Sequence, residues 1–186
     1  AGATRAVLAA GAVVSVVAGA GAAADSEAAA PQDAGEPMDT ARCFRHLFAT
    51  RRALLRAFPQ SGLLQIEAAV DEAERWHAGE IRIAIESSLE PGEVWRGKTP
   101  RERALEVFAA LGVWDTDANN GVLIYVLLAD HDVEIVSDRG YNDRVEAADC
   151  AAISEHIDAE FRSGRYSQGV VAGAIVGRGV GDIVNP

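Results

Sequence analysis

Thiol chemistry has little to work with in this chain, which holds two cysteines in 186 residues. Cys43 and Cys150 stand far apart and form no CxxC pair, so they read as small side chains for buried or half-buried positions. Basic charge is scarce as well: 17 Lys and Arg face 28 Asp and Glu, for a net charge of −11. That balance argues against nucleic acid as a partner, because phosphate backbones call for a basic face. It also repels phosphorylated substrates unless a cation intervenes. No Walker loop, no HExxH and no nucleophile elbow occur, so an enzyme built on this chain would have to be metal-assisted. Outside the first 24 residues no uncharged apolar run reaches the roughly 18 residues of a spanning helix.

The charge that is present is unevenly placed. Residues 38–60 hold five Arg and one Asp, whereas residues 61–186 hold 11 basic and 23 acidic side chains. Ahead of both lies "AGATRAVLAAGAVVSVVAGAGAAA", in which Arg5, an apolar stretch and Ala22-Ala23-Ala24 resemble a secretory signal. The only Met is Met38, after the linker-like "DSEAAAPQDAGEP". A start at Met38 and a cytoplasmic protein is the favoured reading, with export under a cleaved leader as the alternative. On either reading residues 1–37 are expected outside the fold, followed by a basic amphipathic helix within 38–60 and one domain over 61–184.

In "TARCFRHLFATRRALLRA" Phe44, Leu47, Phe48, Leu54, Leu55 and Phe58 can share one broad face with the arginines opposite. The expectation is a helix that packs on its own acidic domain. The alternative is peripheral contact of residues 40–57 with acidic lipid, or with a protein partner or membrane complex. Pro59 ends this element, and Ser61 can cap the next. There Leu63, Ile66, Val70 and Ala73 fall at helical spacing through Trp76. "EIRIAIES" alternates as a strand, with Ile81, Ile83 and Ile85 on one face and Arg82, Ala84 and Glu86 on the other. Pro91-Gly92 opens a loop. Thr99-Pro100-Arg101-Glu102 is a capping box with Pro at the first helical position. Ala104, Leu105, Val107, Phe108 and Leu111 form the stripe behind it. "VLIYVLLA" is apolar throughout, as suits a central strand covered on both faces. With "DVEIVSD" it makes a hairpin around Asp130-His131. Helices follow from about Arg144 to Arg162 and from about Tyr166 to Ile183. The last carries Gly169, Gly173, Gly177 and Gly181 along one stripe, which implies close packing on a neighbour. The resulting order predicts an α/β fold: a small mixed β-sheet flanked by helices on both faces, an α/β/α sandwich.

The chemistry concentrates in "VWDTDANNGVLIYVLL". Asp115, Asp117 and Asn119 match the first three ligand positions of an EF-hand loop. The match then breaks, with Asn120 at position six, Gly121 one place late and Val126 at twelve. What remains is a set of hard oxygen ligands: Asp115, Asp117, Asn119 and Asn120. Pairing of the two hairpin strands returns Asp138 to this loop, and Asp143 follows close behind. Ca²⁺ or Mg²⁺ held there could bridge a phosphate, with Arg139 as the oxyanion partner and Asp138 beside it as the catalytic pair. The structural alternative is a turn, with side chains on backbone amides and left-handed residues at Asn119-Asn120-Gly121. His77, beside a helix stop, His131 in the hairpin turn and His156 on a helix surface are weaker acid–base candidates.

Three ordered blocks, "GEIRIAIE", "RERALEVFAALGVWDTDANNGVLIYVLLADHDVEIVSDRGY" and "FRSGRYSQGV", together resemble a TPM domain over about residues 61–183. The family includes thylakoid-lumen acid-phosphatase-like proteins and many bacterial ones, and the pattern here is similar to a short single-domain bacterial subtype. Those proteins begin near the basic helix, in keeping with a start at Met38. The resemblance implies the same sandwich. It also implies weak phosphatase activity, calcium or magnesium binding, or a part in repair or assembly of membrane complexes. The expectation is a non-catalytic binding or assembly module with a divalent-cation site; the alternative is a weak metal-dependent phosphatase acting on phosphate monoesters.

Overall fold

In the computed structural model, the described residues are 5–8, 13–17, 40–75, 79–141 and 147–174. The central strands are β3 (Glu80–Glu86), β4 (Gly121–Leu127) and β5 (Asp132–Ser137). β3 and β4 run parallel, and β4 and β5 pair antiparallel as the expected hairpin. Around them lie α1 (Thr40–Phe48), α2 (Arg51–Ala57), α3 (Gln60–Glu74), α4 (Pro91–Trp95), α5 (Pro100–Ala110), α6 (Ala147–Arg162) and α7 (residues 166–174).

Alternation along the strands sorts the core into two layers. Ile81, Ile83 and Ile85 of β3 join Ile124 and Val126 of β4 on one face, where α2, α3, α6 and α7 supply Leu54, Ile66, Val70, Ile157 and Val170. On the other face Ala84, Leu123, Tyr125 and Leu127 meet Val94 of α4 and Ala104 and Val107 of α5. Both faces of β4 are therefore covered, as its uniform apolarity requires, and the sandwich is the predicted one. At about 1.5–3 kcal/mol for each large side chain removed from water, these two layers are the main favourable term.

Two short stretches of the leader depart from expectation. β1 (Arg5–Leu8) and β2 (Val13–Val17) pair antiparallel with each other, and β2 runs parallel to β3 from Val13 opposite Arg82 to Val17 opposite Glu86. The sheet order is β1-β2-β3-β4-β5. Residues 5–8 and 13–17 are thus not outside the fold. Two causes combine: four Val in five residues favour extended backbone, and β3 would otherwise offer unpaired backbone groups along one edge.

The single basic helix is in fact two. Thr50 breaks it and caps α2, its hydroxyl accepting from the Ala53 amide at 3.4 Å. Leu54 and Phe58 enter the core, but Phe44, Leu47, Phe48 and Leu55 do not. α3 starts one residue after Pro59 without the expected cap from Ser61, and Trp76 and His77 lie outside the described residues. Thr99 and Glu102 form the predicted capping box, with the Glu102 amide 3.2 Å from Thr99 Oγ1 and the Thr99 amide 2.7 Å from Glu102 Oε2. Leu105 stays exposed on the outer side of α5. In place of the loop expected at Pro91-Gly92 there is α4, whose Glu90 amide donates to Glu93 Oε2 at 3.1 Å.

Of the glycine stripe, Gly169 and Gly173 lie among the described residues. A Cβ on Gly173 would run into Ile157 Cδ1, and one on Gly169 would sit 3.0 Å from Glu160 Cβ. The missing side chains let α7 lie close on α6. Gly177 and Gly181 fall outside the described residues.

Candidate functional site

The loop between α5 and β4 is two successive turns. Gly112, with φ of 61°, closes α5, and the Asp115 amide donates to the Gly112 carbonyl at 3.0 Å. Then the Asn119 amide reaches Thr116 O at 3.2 Å, and the Asn120 amide reaches Thr116 Oγ1 at 3.0 Å. Of Asn119, Asn120 and Gly121, Asn119 alone takes the left-handed conformation, with φ of 52°, which Asn tolerates better than most residues. Gly121 is needed for another reason: a Cβ there would strike the Val113 carbonyl oxygen.

Hairpin register brings the second half of the site to this loop. With Val122 opposite Ser137, the Asp138 amide donates to Gly121 O at 2.8 Å. The turn at Arg139–Tyr141 then folds over the asparagines. Gly140 N donates to Asn119 O at 3.0 Å, Arg139 Nε to Asn119 Oδ1 at 2.9 Å, and Tyr141 OH to Asn120 O at 3.1 Å. A Cβ on Gly140 would collide with Asn119 O, so only glycine allows the two turns to touch. Asp138 Oδ1 accepts from the Arg139 amide at 2.7 Å, while Asp138 Oδ2 is buried with no hydrogen-bond partner.

Asn119, Asn120, Asp138 and Arg139 are therefore brought together, as the register argument required. Asp115 and Asp117 belong to the same loop but stay exposed. Among the described residues no three His, Cys, Asp or Glu side chains gather closely enough to hold a metal ion by themselves. Asp143 lies outside the described residues. The donors present are carboxylate, amide and carbonyl oxygens, which suit a hard cation such as Ca²⁺ or Mg²⁺ rather than a soft one. His131 in the hairpin turn is exposed, has φ of 54° and stacks on Tyr166 at 6.2 Å. His156 faces solvent.

The family model for the TPM domain matches residues 56–175. This chain belongs to the TPM domain family. Among solved structures the TPM domain here is similar to the BA42 protein of the psychrophilic bacterium Bizionia argentinensis. They share 31% identity over 66% of this chain and 81% of that one, with a TM-score of 0.56. The fold is also that of the N-terminal domain of a P. gingivalis protein, at 19% identity, covering 65% and 74% of the two chains with a TM-score of 0.53. The N-terminal domain of cg2496 from Corynebacterium glutamicum matches at 15% identity, 66% and 72% coverage and a TM-score of 0.50. No curated protein matches the chain.

Two charged networks in this TPM domain escaped sequence reasoning. In the first, Glu86 is buried and accepts from Arg103 Nε at 3.0 Å, Arg103 Nη2 at 2.8 Å and Tyr125 OH at 2.7 Å. The bond to Glu86 raises the Arg103 guanidinium, and burial and the Glu86 charge raise the Tyr125 hydroxyl. In the second, Asp130 in the β4–β5 turn accepts from Arg42 Nε at 3.0 Å, Arg42 Nη2 at 2.8 Å and His46 Nε2 at 3.1 Å. The Leu89 amide donates to His46 Nδ1 at 3.0 Å, so the ring carries its proton on Nε2. Burial alone would raise Asp130, but His46 and Arg42 outweigh it and hold the carboxyl down to about 2. One signal was available: Glu86 ends a strand whose neighbours are nearly all apolar, and a charge at such a position needs a partner.

Proposed function

We propose that this TPM domain is a non-catalytic binding or assembly module that takes up Ca²⁺ or Mg²⁺ at the α5–β4 loop and the β5 turn. The observation that carries the reading is Asp138 Oδ2, a carboxylate oxygen shut from water without a donor, at the point where Asn119–Gly121 and Arg139–Tyr141 close on each other. A buried acceptor left unmatched costs about 1–3 kcal/mol, and a cation removes that cost. Asp138 would be the main ligand, Asn119 and Asn120 would add amide oxygens, and Asp115 and Asp117 would add charge from the exposed side. Asp143 is a further candidate by its place in the chain. With so few carboxylates converging, affinity is expected to be weak.

Binding is favoured over turnover because the best-positioned ionisable groups are engaged with one another: Glu86 with Arg103 and Tyr125, and Asp130 with Arg42 and His46. Among the described residues Arg139 favours the alternative, a metal-assisted phosphatase, since its exposed side chain lies beside the loop. Calorimetry and thermal melts with Ca²⁺ and Mg²⁺ test the proposal. At a hundredfold excess over Kd a bound cation adds about 2.7 kcal/mol to stability, and Asp138→Asn should abolish the gain. An unmoved melting temperature at millimolar cation refutes cation binding. Hydrolysis of p-nitrophenyl phosphate that is lost with EDTA and with Arg139→Ala would put the phosphatase reading in its place.

A further inference from the structure

α1 is oriented inside out. A helix packed on its own domain turns its apolar stripe inward. Here the inward residues are mainly polar: Arg42 and His46, one turn apart, both reach Asp130, His46 is 5% exposed, and the small Cys43 is the apolar side chain of α1 that packs on the core. Apolar residues point the other way. Phe44 is 61% exposed, Leu47 65% and Phe48 70%. The rings of Phe44 and Phe48 stack with centroids 6.5 Å apart and planes 8° from parallel, so they form one surface rather than scattered side chains. Leu55 of α2 is 52% exposed. Next to it in the chain are Arg51, Arg52 and Arg56, all exposed. Single exposed apolar residues are ordinary, but a patch rimmed by charge marks a contact surface.

We propose that Phe44, Leu47, Phe48 and Leu55, with Arg51, Arg52 and Arg56, dock this domain on an anionic phospholipid membrane. Charge selects the occupant. Residues 38–60 hold five Arg and one Asp within a chain of net charge −11; Arg42 and Arg45 pair with Asp130, and Arg51, Arg52 and Arg56 are exposed. Anionic headgroups therefore attract this segment and repel the rest, which orients the domain with α1 and α2 toward the bilayer. The screening length of about 10 Å at 0.1 M salt limits repulsion of the more distant acidic body. A second copy of the chain fits less well, because a two-fold contact through this patch brings the same arginines near one another. Large apolar groups and arginines on short helices lying along a surface are the composition of an interfacial anchor. Among the described residues no helix is long and apolar enough to cross a membrane, so the contact is peripheral. The network at Asp130 holds α1 with this face outward before any lipid is met.

The test is co-sedimentation of the full chain with vesicles of phosphatidylcholine mixed with phosphatidylglycerol, against vesicles of phosphatidylcholine alone. The chain should sediment with the first, remain in solution with the second, and be released by high salt. Arg51→Glu with Arg52→Glu and Arg56→Glu should weaken binding at least about tenfold, as should Phe44→Ser with Phe48→Ser. All five positions are exposed, so both variants should melt as the wild type does. The proposal is overturned if the variants sediment as well as the wild type, or if the wild type ignores anionic vesicles. It is also overturned if the wild type is a dimer that stays in solution with anionic vesicles and that Phe44→Ser with Phe48→Ser turns into a monomer. Cation binding is read by calorimetry on Asp138→Asn, so failure of one proposal leaves the other standing.

Discussion

At Glu86 a carboxylate, a guanidinium and a phenol settle one another's charge inside the sandwich. Removing one partner leaves the others buried and unmatched, which costs more than the trio contributes as a whole. Arg103→Ala should therefore destabilise by about 3–5 kcal/mol in urea unfolding, while Tyr125→Phe, which removes one donor of three, should cost only about 1 kcal/mol. A loss at Arg103 no larger than that of an exposed arginine would show that water reaches Glu86. Asp132 presents the opposite case. Burial first, then the charges of Glu134, Asp158 and Asp130, push its carboxyl up to about 6. It resists ionisation in the fold, so Asp132→Asn should raise stability at neutral pH by on the order of 1 kcal/mol after allowance for its partial exposure.

Elements show how the same composition can serve opposite ends. Leu54 and Phe48 stand six residues apart in one apolar series, yet Leu54 is 1% exposed and Phe48 is 70% exposed. Leu54→Ala should cost about 2–5 kcal/mol, whereas Phe48→Ala should change stability by less than about 0.5 kcal/mol; paired thermal melts compare them directly. The turn from Asp138 to Tyr141 tests the site in the same way. Gly140→Ala places a Cβ against the Asn119 carbonyl, and backbone on both sides leaves little room to yield. It should cost about 1–3 kcal/mol and weaken cation binding together with Asp138→Asn. Unchanged amide chemical shifts at Asn119 and Asn120 in that variant would argue against the contact.

Over the whole molecule the two aspartates flanking the hairpin turn shape the pH dependence of stability. Asp130, held at about 2 in the fold against an ordinary value of 3.8, stabilises the protein above the unfolded value, and that contribution drains away as the pH falls toward 2. Asp132 acts over a different window. With a folded value of about 6 against 3.8, its unfolded form releases a proton first as the pH rises, so stability falls between these values and the penalty persists above them. Stability from this pair should therefore be greatest near pH 4 and lower on either side. Melts across that range check this: Asp132→Asn should flatten the decline toward neutral pH and leave the acid limb in place.

The sequence by itself determined much of what local periodicity and local chemistry carry. Alternation in β3 and β5, the uniform apolarity of β4, the Thr99–Glu102 box, the hairpin register that returns Asp138 to Asn119–Gly121, and the small-residue spacing of Gly169 and Gly173 were all legible, because each is written in one continuous stretch of chain. Tertiary structure decided the rest. A helical wheel sets the angle between Phe44 and Arg42 but not which of them faces the body; Asp130, 88 residues away from Arg42, made that choice. α4 has 5 residues, too few to show a helical period. That Glu86 is buried follows only once α5 covers the second face of the sheet. The leader strands join through backbone pairing of β2 with β3 and of β1 with β2, and backbone hydrogen bonds leave little trace in side-chain pattern.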